Sequence, residues 1–555
     1  MADKIMTVDD YRQQNPSYTK AEFIPLTKEK EQEIFDKAKA HAQKILDAKA
    51  ISPDTIKGNC FYVSNNGDDY NDGKSAATPW KTISRLHIAQ TDGTIKEGDA
   101  VLFERGSRWN ACFHTRLSGD YALMMAPGIT YSAYGEGYKP LFTNCRYASN
   151  SEDWVKSFYD NIWVLNYDVG NRYSDVGNIV CNGGEAYGIK VTPLDPCTPF
   201  APNAKTIDSG MVTNNMGEFF HSGGTFCTSP AEALHNNLEF LHDVIEGKLY
   251  LYFDKGNPAE YFNEIVISMR GHIIRCSESR NILIDNIAVK YGGSHGITTD
   301  NAQNVTIQNC IIGWIGGSLQ DVAPKNTVRY GNAVENWDKC DGQYINNCIV
   351  YQCYDAGLTT QVAGWDENNP VHMNHVEYCD NVMAYSNSPL ELWNSNPEDK
   401  AGEPYVNCVK NSKLNGNYLF YSGYHFGHQR PHKNGSFGCL GGKAPGQVFV
   451  DTEMNDNVFM YTSAFAHYTR CIKVADNKTG ISTKNNTYVL GASKYYIKGG
   501  ENSITNKGTV ALYPFSADTM GFFNSLGAED NSEFYYYDGN LFDEEALGVY
   551  LYSNP

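Results

Sequence analysis

The sequence predicts an all-β solenoid, on three observations: a short asparagine-bearing motif that recurs along the chain, the absence of helical or leucine periodicity within it, and abundant turn residues. The motif reads Asp285-Asn286-Ile287-Ala288-Val289, then Gln308-Asn309-Cys310-Ile311-Ile312 and Asn346-Asn347-Cys348-Ile349-Val350. It continues as Asp380-Asn381-Val382-Met383, Gly416-Asn417-Tyr418-Leu419-Phe420, Asp456-Asn457-Val458-Phe459 and Asn485-Asn486-Thr487-Tyr488. Asn286, Asn309, Asn347, Asn381, Asn417, Asn457 and Asn486 are 23, 38, 34, 36, 40 and 29 residues apart. Such periods mark stacked units, and an Asn at one corner of each coil can stack and accept a left-handed turn. The 50 glycines fit many short strands joined by tight turns.

Along the chain, residues 1–55 form an N-terminal segment whose 28–50 stretch is an amphipathic helix, with Ile34, Ala38, Ala42, Ile45 and Leu46 on one stripe. The helix is expected to cap the open end of the solenoid. Residues 56–150 read as the first β rungs, beginning with the strand Phe61-Tyr62-Val63-Ser64 and an acidic turn at 65–73. That turn lacks the ligand spacing of a calcium loop and is read as a plain turn. Residues 151–262 have a less regular pattern, with a clear strand at 248–252, and are expected to be an inserted β subdomain. The main solenoid follows over 263–510, and 511–555 is a C-terminal tail.

Charge and cysteine usage narrow the function. A net charge of −19 excludes the basic footprint that nucleic acid or an anionic membrane requires. The 15 cysteines show neither CxxC pairs nor zinc spacing, and Cys310, Cys348 and Cys408 sit where small buried hydrophobes belong, so neither cofactor nor metal is expected. The first fourteen residues have no apolar core of a signal peptide, and no stretch is long enough to cross a membrane. Read literally, the protein is cytoplasmic; the alternative is secretion after removal of a signal peptide.

The opening Tyr62-Val63-Ser64, Gly67, Asp69, Asn71-Asp72-Gly73 and Pro79-Trp80-Lys81-Thr82-Ile83 carries a resemblance. With Gly98-Asp99, Val101-Leu102-Phe103, Gly106, Trp109 and Tyr131–Gly137, it resembles the start of bacterial right-handed parallel β-helix proteins of the pectate-lyase-like superfamily. The resemblance covers about residues 60–145 and implies the fold. The stretch 331–361, with Leu390-Glu391-Leu392-Trp393-Asn394 and Gly427-His428-Gln429-Arg430-Pro431, is also similar to β-helix proteins grouped with carbohydrate-active enzymes. That similarity implies a carbohydrate substrate. Glycosidases of this superfamily, polygalacturonases and lacto-N-biosidases among them, use carboxylate pairs on such a face. The NTD, DD and GHG set of polygalacturonases is absent, which puts pectin hydrolysis in doubt.

If the asparagines share a corner, the strands that follow share a face. The rows are 294–300, 331–337, 355–361, 387–393 and 423–430. Ile297, Val334, Leu358, Leu390 and Phe426 then point inward. Thr298, Glu335, Thr359, Glu391 and Gly427 point out, as do Asp300, Trp337, Gln361, Trp393 and Gln429 two positions on. Gly296, Ala333 and Gly357 are expected to leave a floor for a ligand. Glu335 and Glu391, two rungs and roughly 10 Å apart along the backbone, suit the ~6.5–9.5 Å carboxyl separation of inverting glycosidases. Asp355 between them could instead give the ~5–5.5 Å of retaining enzymes. Glu391, packed in sequence between Leu390, Leu392 and Trp393, is expected to be the desolvated general acid, with Glu335 or Asp355 as base or nucleophile. Trp337 and Trp393 are candidate stacking platforms, and Gln361, His295, His425, His428, Gln429 and Arg430 candidate hydroxyl partners. The ordinary alternative for each is a solvated side chain on an open face.

Two rival functions remain. A polysaccharide lyase needs a cationic base or a neutraliser of uronate carboxylates, and near this face only Arg430, Lys325 and Arg329 are cationic. A non-catalytic carbohydrate-binding solenoid would use the aromatic column equally well. No GxSxG elbow supports a serine nucleophile.

Overall fold

The computed structural model describes all residues except 1–12, 14–16, 112–122, 168–174, 194–196, 198–206, 209–210, 214–218, 222–226, 324–327, 363–368, 395–406, 431–434, 441–447, 469–471, 475–479, 500–510 and 539–555. Among the described residues, three sheets of 14, 10 and 10 strands wind the chain into a right-handed parallel β-helix. One coil contributes one strand to each: Gln303–Gln308, Ile311–Ile315 and Val334–Trp337 belong to three different sheets and pair in parallel with the equivalent strands of the next coil. The interior is a continuous apolar column that includes Ile297, Val334, Leu358 and Leu390. Alternate residues of each strand must point into so narrow a coil, which is why the period-2 pattern is legible there.

One helix packs on the side of the column and two others join its interior near the ends. Helix α1, Lys28–Leu46, starts at a Thr27 cap, whose hydroxyl accepts from the Lys30 amide. Its stripe of Ile34, Phe35, Ala38, Ala42 and Ile45 packs on the outer face of the largest sheet, against Phe420, Tyr421 and Tyr461. It therefore lies along the coils rather than across their open end. Helix α2, Ile83–Thr91, buries Ile83, Leu86 and Ala89 in the interior column beside the first strands. At the other end helix α3, Ala517–Ser525, contributes Met520, Phe522 and Phe523. The carboxylates of the acidic turn are spent locally: Asp69 accepts from the Lys81 and Thr82 amides, and Asp72 from Lys74 and Thr78.

The less regular region is an insertion. Leu141–Tyr147 pairs in parallel with Ala288–Gly292, the next coil of its sheet, although well over a hundred residues separate them. Between them lies an antiparallel sheet built from Trp154–Lys156, Ile162–Asn166, Lys248–Tyr252 and Glu239–Asp243. The segment expected as a tail supplies Ala511–Pro514, α3 and Glu533–Tyr537, the last pairing in parallel with Thr487–Gly491. No disulfide joins the described cysteines, and Cys310, Cys348 and Cys408 are buried. Among the described residues no helix is long and apolar enough to cross a membrane.

The asparagine motif divides into two adjacent columns. Asn286, Asn309 and Asn347 occupy the left-handed turn position, with φ of 62°, 52° and 53°, and Asp380, Gly416, Asp456 and Asn485 continue it. The buried ladder is the next residue along: Asn381, Asn417, Asn457 and Asn486. Each donates its side-chain amide to a carbonyl of the coil before, respectively Ile345, Tyr378, Leu414 and Met454. Cys310 and Cys348 hold the same column in the two coils before Asn381, their thiols 3.8 and 3.7 Å from the Ile284 and Ile307 carbonyls. The expected single asparagine column is thus corrected: two neighbouring positions favour Asn for different reasons, one for its backbone and one for its amide.

Candidate active site

The site rests on six strands of one sheet: β1 (Ile274–Ser277), β2 (Ile297–Asp300), β3 (Val334–Trp337), β4 (Ala356–Val362), β5 (Ser388–Asn394) and β6 (Gly435–Leu440). Thr298, Glu335, Thr359 and Glu391 are register partners in succession, as are Asp300, Trp337, Gln361 and Trp393. The two glutamates are thus two rungs apart on one face, as the sequence predicts. The fifth row is different. Glu391 pairs with Gly438 and Leu390 with Phe437, so β6 is the next rung, not 423–430. His425–Gln429 is a 3-10 turn, entered through φ of 77° at Gly423 and 50° at His425, and Phe426 packs outside the column beside Trp314 and Tyr354.

A cavity of about 450 Å³ opens over β3 to β5. Its walls include Glu335, Asp355, Glu391, Trp337, Gln361, Trp393, His295 and Arg430, eight of the eleven sequence candidates. The face is far from open: Glu335 is 8% exposed, Asp355 7% and Glu391 1%. Glu335 sits 2.8 Å from His295 Nε2 through Oε2 and accepts from the Asn332 side-chain amide through Oε1 at 3.2 Å. Glu391 Oε1 accepts from Thr359 Oγ1 at 3.1 Å and from Gln361 Nε2 at 3.0 Å. Leu390 and Leu392 do not desolvate it, because both side chains lie in the interior column on the opposite face of the strand. Asp355 is bound to Arg430, Oδ1 to Nε, at 2.9 Å. Burial works against the Arg430 charge, but Asp355, with Tyr354 and Glu391, outweighs it and holds the guanidinium above its ordinary pKa. Burial pushes the Asp300 carboxyl up, at the lower edge of the same face.

Three candidates lie away from the cavity lining. His425 packs against Tyr385, its ring centroid 4.6 Å away, and meets the Tyr187 hydroxyl at 3.3 Å. His428 Nδ1 lies 2.6 Å from the Gly423 carbonyl. Gln429 is a tie to the insertion: it accepts from the Lys190 amide at 3.1 Å and donates to the Gly188 carbonyl at 2.9 Å. Gly296 and Gly357 form no ligand floor. A Cβ on Gly296 would come within 2.6 Å of the Ala333 carbonyl, and one on Gly357 within 2.5 Å of the Pro389 carbonyl, so coil packing demands them.

The cavity also holds His272, Gln320, Val328, Arg329 and Tyr330, which lie outside the rows, and Asn332, which its row contains but the pattern does not single out. His272 lies just before β1, and a row extended one rung lower would have found it. Gln320, Val328, Arg329 and Tyr330 come from a hairpin whose Gln320 and Tyr330 amides bond to the Val328 and Ser318 carbonyls. Arg329 donates to the Tyr354 hydroxyl at 2.7 Å and the Gln429 carbonyl at 2.8 Å. Lys325 lies outside the described residues. Asp175, in the insertion, accepts from the Leu319 amide at 2.7 Å, and the buried Lys190 ammonium binds Asp175 and, at 3.0 Å, the Gly317 carbonyl. Burial lowers the Lys190 amine to about 8, against the opposing pull of Asp175.

Fold and site together define a parallel β-helix protein with a carboxylate-walled pocket. No family model matches the chain. Over 130 residues it is 36% identical to a lacto-N-biosidase of Bifidobacterium longum subsp. longum, a stretch covering 22% of this chain and 8% of that protein's length. Among solved structures it is similar to a glycoside hydrolase, at TM-score 0.43 and 11% identity over 88% of this chain and 98% of the other. It is also similar to the lacto-N-biosidase of Eubacterium ramulus, at TM-score 0.33 and 12% identity over 87% and 67%.

Proposed function

We propose that this protein is a glycoside hydrolase that cleaves a neutral oligosaccharide by carboxylate acid–base catalysis. The observation that carries the proposal is the register: Glu335 and Glu391 face one pocket from strands two rungs apart, a backbone separation of roughly 10 Å that suits a sugar and a water between them. Glu391 is the general acid, delivering a proton to the glycosidic oxygen as the C–O bond breaks. Glu335 is the base that takes a proton from the attacking water. Asp355 is not used for chemistry in this reading, because its carboxylate is engaged by Arg430. The half-buried rings of Trp337 and Trp393 offer apolar faces to sugar C–H groups. The Trp393 indole N–H and Arg329 Nη1 have no hydrogen-bond partner among the described residues, which suits a ligand rich in acceptors. A cavity of about 450 Å³ lies at the small end of the ~300–1,000 Å³ range of ligand sites, which favours a short oligosaccharide over a polymer. The partial similarity to a lacto-N-biosidase supports the same reaction class.

The test is release of reducing ends from a panel of neutral oligosaccharides and aryl glycosides by wild type, Glu335→Gln and Glu391→Gln. Each change is expected to lower kcat by about 10²–10⁴-fold. Full activity in both variants would overturn the assignment. Products absorbing in the ultraviolet, formed from a uronate polymer, would make the protein a lyase instead.

A further inference from the structure

Glu335 is gripped on both oxygens, and the grip on Oε2 comes from an imidazole whose protonation is dictated by its surroundings. The Asn332 backbone amide donates to His295 Nδ1 at 3.1 Å. A backbone N–H can only donate, so Nδ1 must carry a lone pair, and the single ring proton sits on Nε2. That nitrogen lies 2.8 Å from Glu335 Oε2 and donates to it. A doubly protonated ring would aim Nδ1–H at the Asn332 amide hydrogen, so the pair is a neutral imidazole on a carboxylate rather than an ion pair.

The surroundings fix the ring as well as its proton. His272 stacks on His295 with centroids 5.0 Å apart and planes within 6°, and its Nδ1 accepts from the His295 amide at 3.3 Å. Tyr330 stands edge-on to both rings, at 4.9 Å from His295 and 5.7 Å from His272. Burial, with the neighbouring His295, Arg275 and Arg270, holds the His272 imidazole well below its ordinary pKa, so the stack is not a pair of like charges. Asn332 is also locked: its Oδ1 accepts from the Ala356 amide at 3.0 Å, which turns its NH₂ to Glu335 Oε1.

We propose that His295 is a positioning residue for Glu335, with Asn332 setting its tautomer and His272 its plane. The role rests on the reading of Glu335 as the catalytic base. When Glu335 accepts the proton from water, His295 keeps its own Nε2 proton throughout, so it neither donates nor accepts in the reaction. Its work is to hold the carboxylate in one rotamer against a substrate that would otherwise turn it, and a misplacement of about 1 Å costs on the order of 10²-fold in rate.

Two measurements on the full chain test this. In protein labelled with ¹⁵N-histidine, long-range ¹H–¹⁵N correlation reads the tautomer directly, the His295 signals being assigned by their loss in His295→Gln. The expected result is a protonated Nε2 and a bare Nδ1, with the Nε2–H resonance displaced in Glu335→Gln. A proton on Nδ1 would overturn the proposal whether or not a substrate is in hand. In kinetics, His295→Ala is expected to lower kcat by about 10–100-fold with KM nearly unchanged. His295→Gln, whose amide N–H reaches the Nε2 position, is expected to restore most of the loss. Wild-type kcat in His295→Ala, with Glu335→Gln inactive, sinks the positioning role alone. An active Glu335→Gln sinks the hydrolase reading and leaves the tautomer standing.

Discussion

Replacing Asn417 by Ala removes one step of the buried ladder, and the structure sets the size of the loss. Asn417 is fully buried, and its side-chain amide donates to the Tyr378 carbonyl at 2.8 Å and to Asn457 Oδ1 at 3.0 Å. Its oxygen accepts from the Asn381 amide at 3.1 Å and the Asn381 side chain at 3.0 Å. After the change, Asn457 Oδ1 still accepts from the Asn417 backbone at 2.9 Å, and the Asn381 side chain still donates to Ile345 at 2.9 Å. Two main-chain groups lose their ladder partner, the Asn381 N–H and the Tyr378 C=O. At about 1–3 kcal/mol for each buried group left unmade, the variant is less stable by about 2–6 kcal/mol. That is a large share of the ~5–15 kcal/mol that holds a typical native fold. Urea titration followed by circular dichroism measures it, with Asn374→Ala, a partly exposed neighbour that accepts from Asn411, as the control. The control is expected to change stability by no more than about 0.5 kcal/mol. An Asn417→Ala midpoint as close to wild type as that of the control would refute the ladder as a source of stability.

Two further predictions concern buried charge. Arg430→Met leaves Asp355 without its cation and is expected to cost about 3–5 kcal/mol, while adding Asp355→Asn recovers part of that loss; urea midpoints of the two singles and the double decide, and a strictly additive double would refute the pairing. Lys290 is buried, and burial, reinforced by Arg108 and opposed by Glu264, pushes its amine down to about 7. Folding therefore sheds its proton between pH 7 and the unfolded value near 10.4, so its cost is full below pH 7 and fades as pH rises through that window. Lys290→Met is expected to raise Tm by several degrees at pH 6 and by little at pH 10, as read by calorimetry; an equal gain at both would refute the depressed amine.

Much of the site was legible because a coil of parallel strands repeats one geometric rule. Alternation within 331–337, 355–361 and 387–393 gives the inward column and the outward carboxylates at once, and the observed register agrees residue by residue. The rule fails at 423–430, where Phe426 mimics an inward residue by spacing alone. Backbone φ values above zero at Gly423 and His425 turn that segment away, and the rung resumes at 435 after a long excursion. The hairpin side of the pocket was not legible, since Arg329 reaches Gln429 across 100 residues and no local pattern records such a contact. Nor could spacing separate the two asparagine columns, because adjacent positions share every period. The depth of the site was not legible either: Glu391 looks exposed by alternation, yet it is buried, with its carboxylate held by Thr359 and Gln361.

The contacts that tie Gly188 and Lys190 to Gln429 span 241 and 239 residues, whereas the coils stack across a few tens. A solenoid can grow from any coil outward, each rung needing only its neighbour. Closing a loop near 240 residues instead of about 36 adds only about 1.7 kcal/mol of entropy, so the span is thermodynamically inexpensive. Its effect lies in order of assembly. The rungs that carry Glu335 and Glu391 can form before these contacts exist, and the insertion is then pinned through Gln429 to the turn that carries Arg430. Scaffold and tie are therefore separable in folding: the register of Glu335 and Glu391 is set rung by rung, and the Gly188 and Lys190 contacts fix only the turn that leads into Arg430.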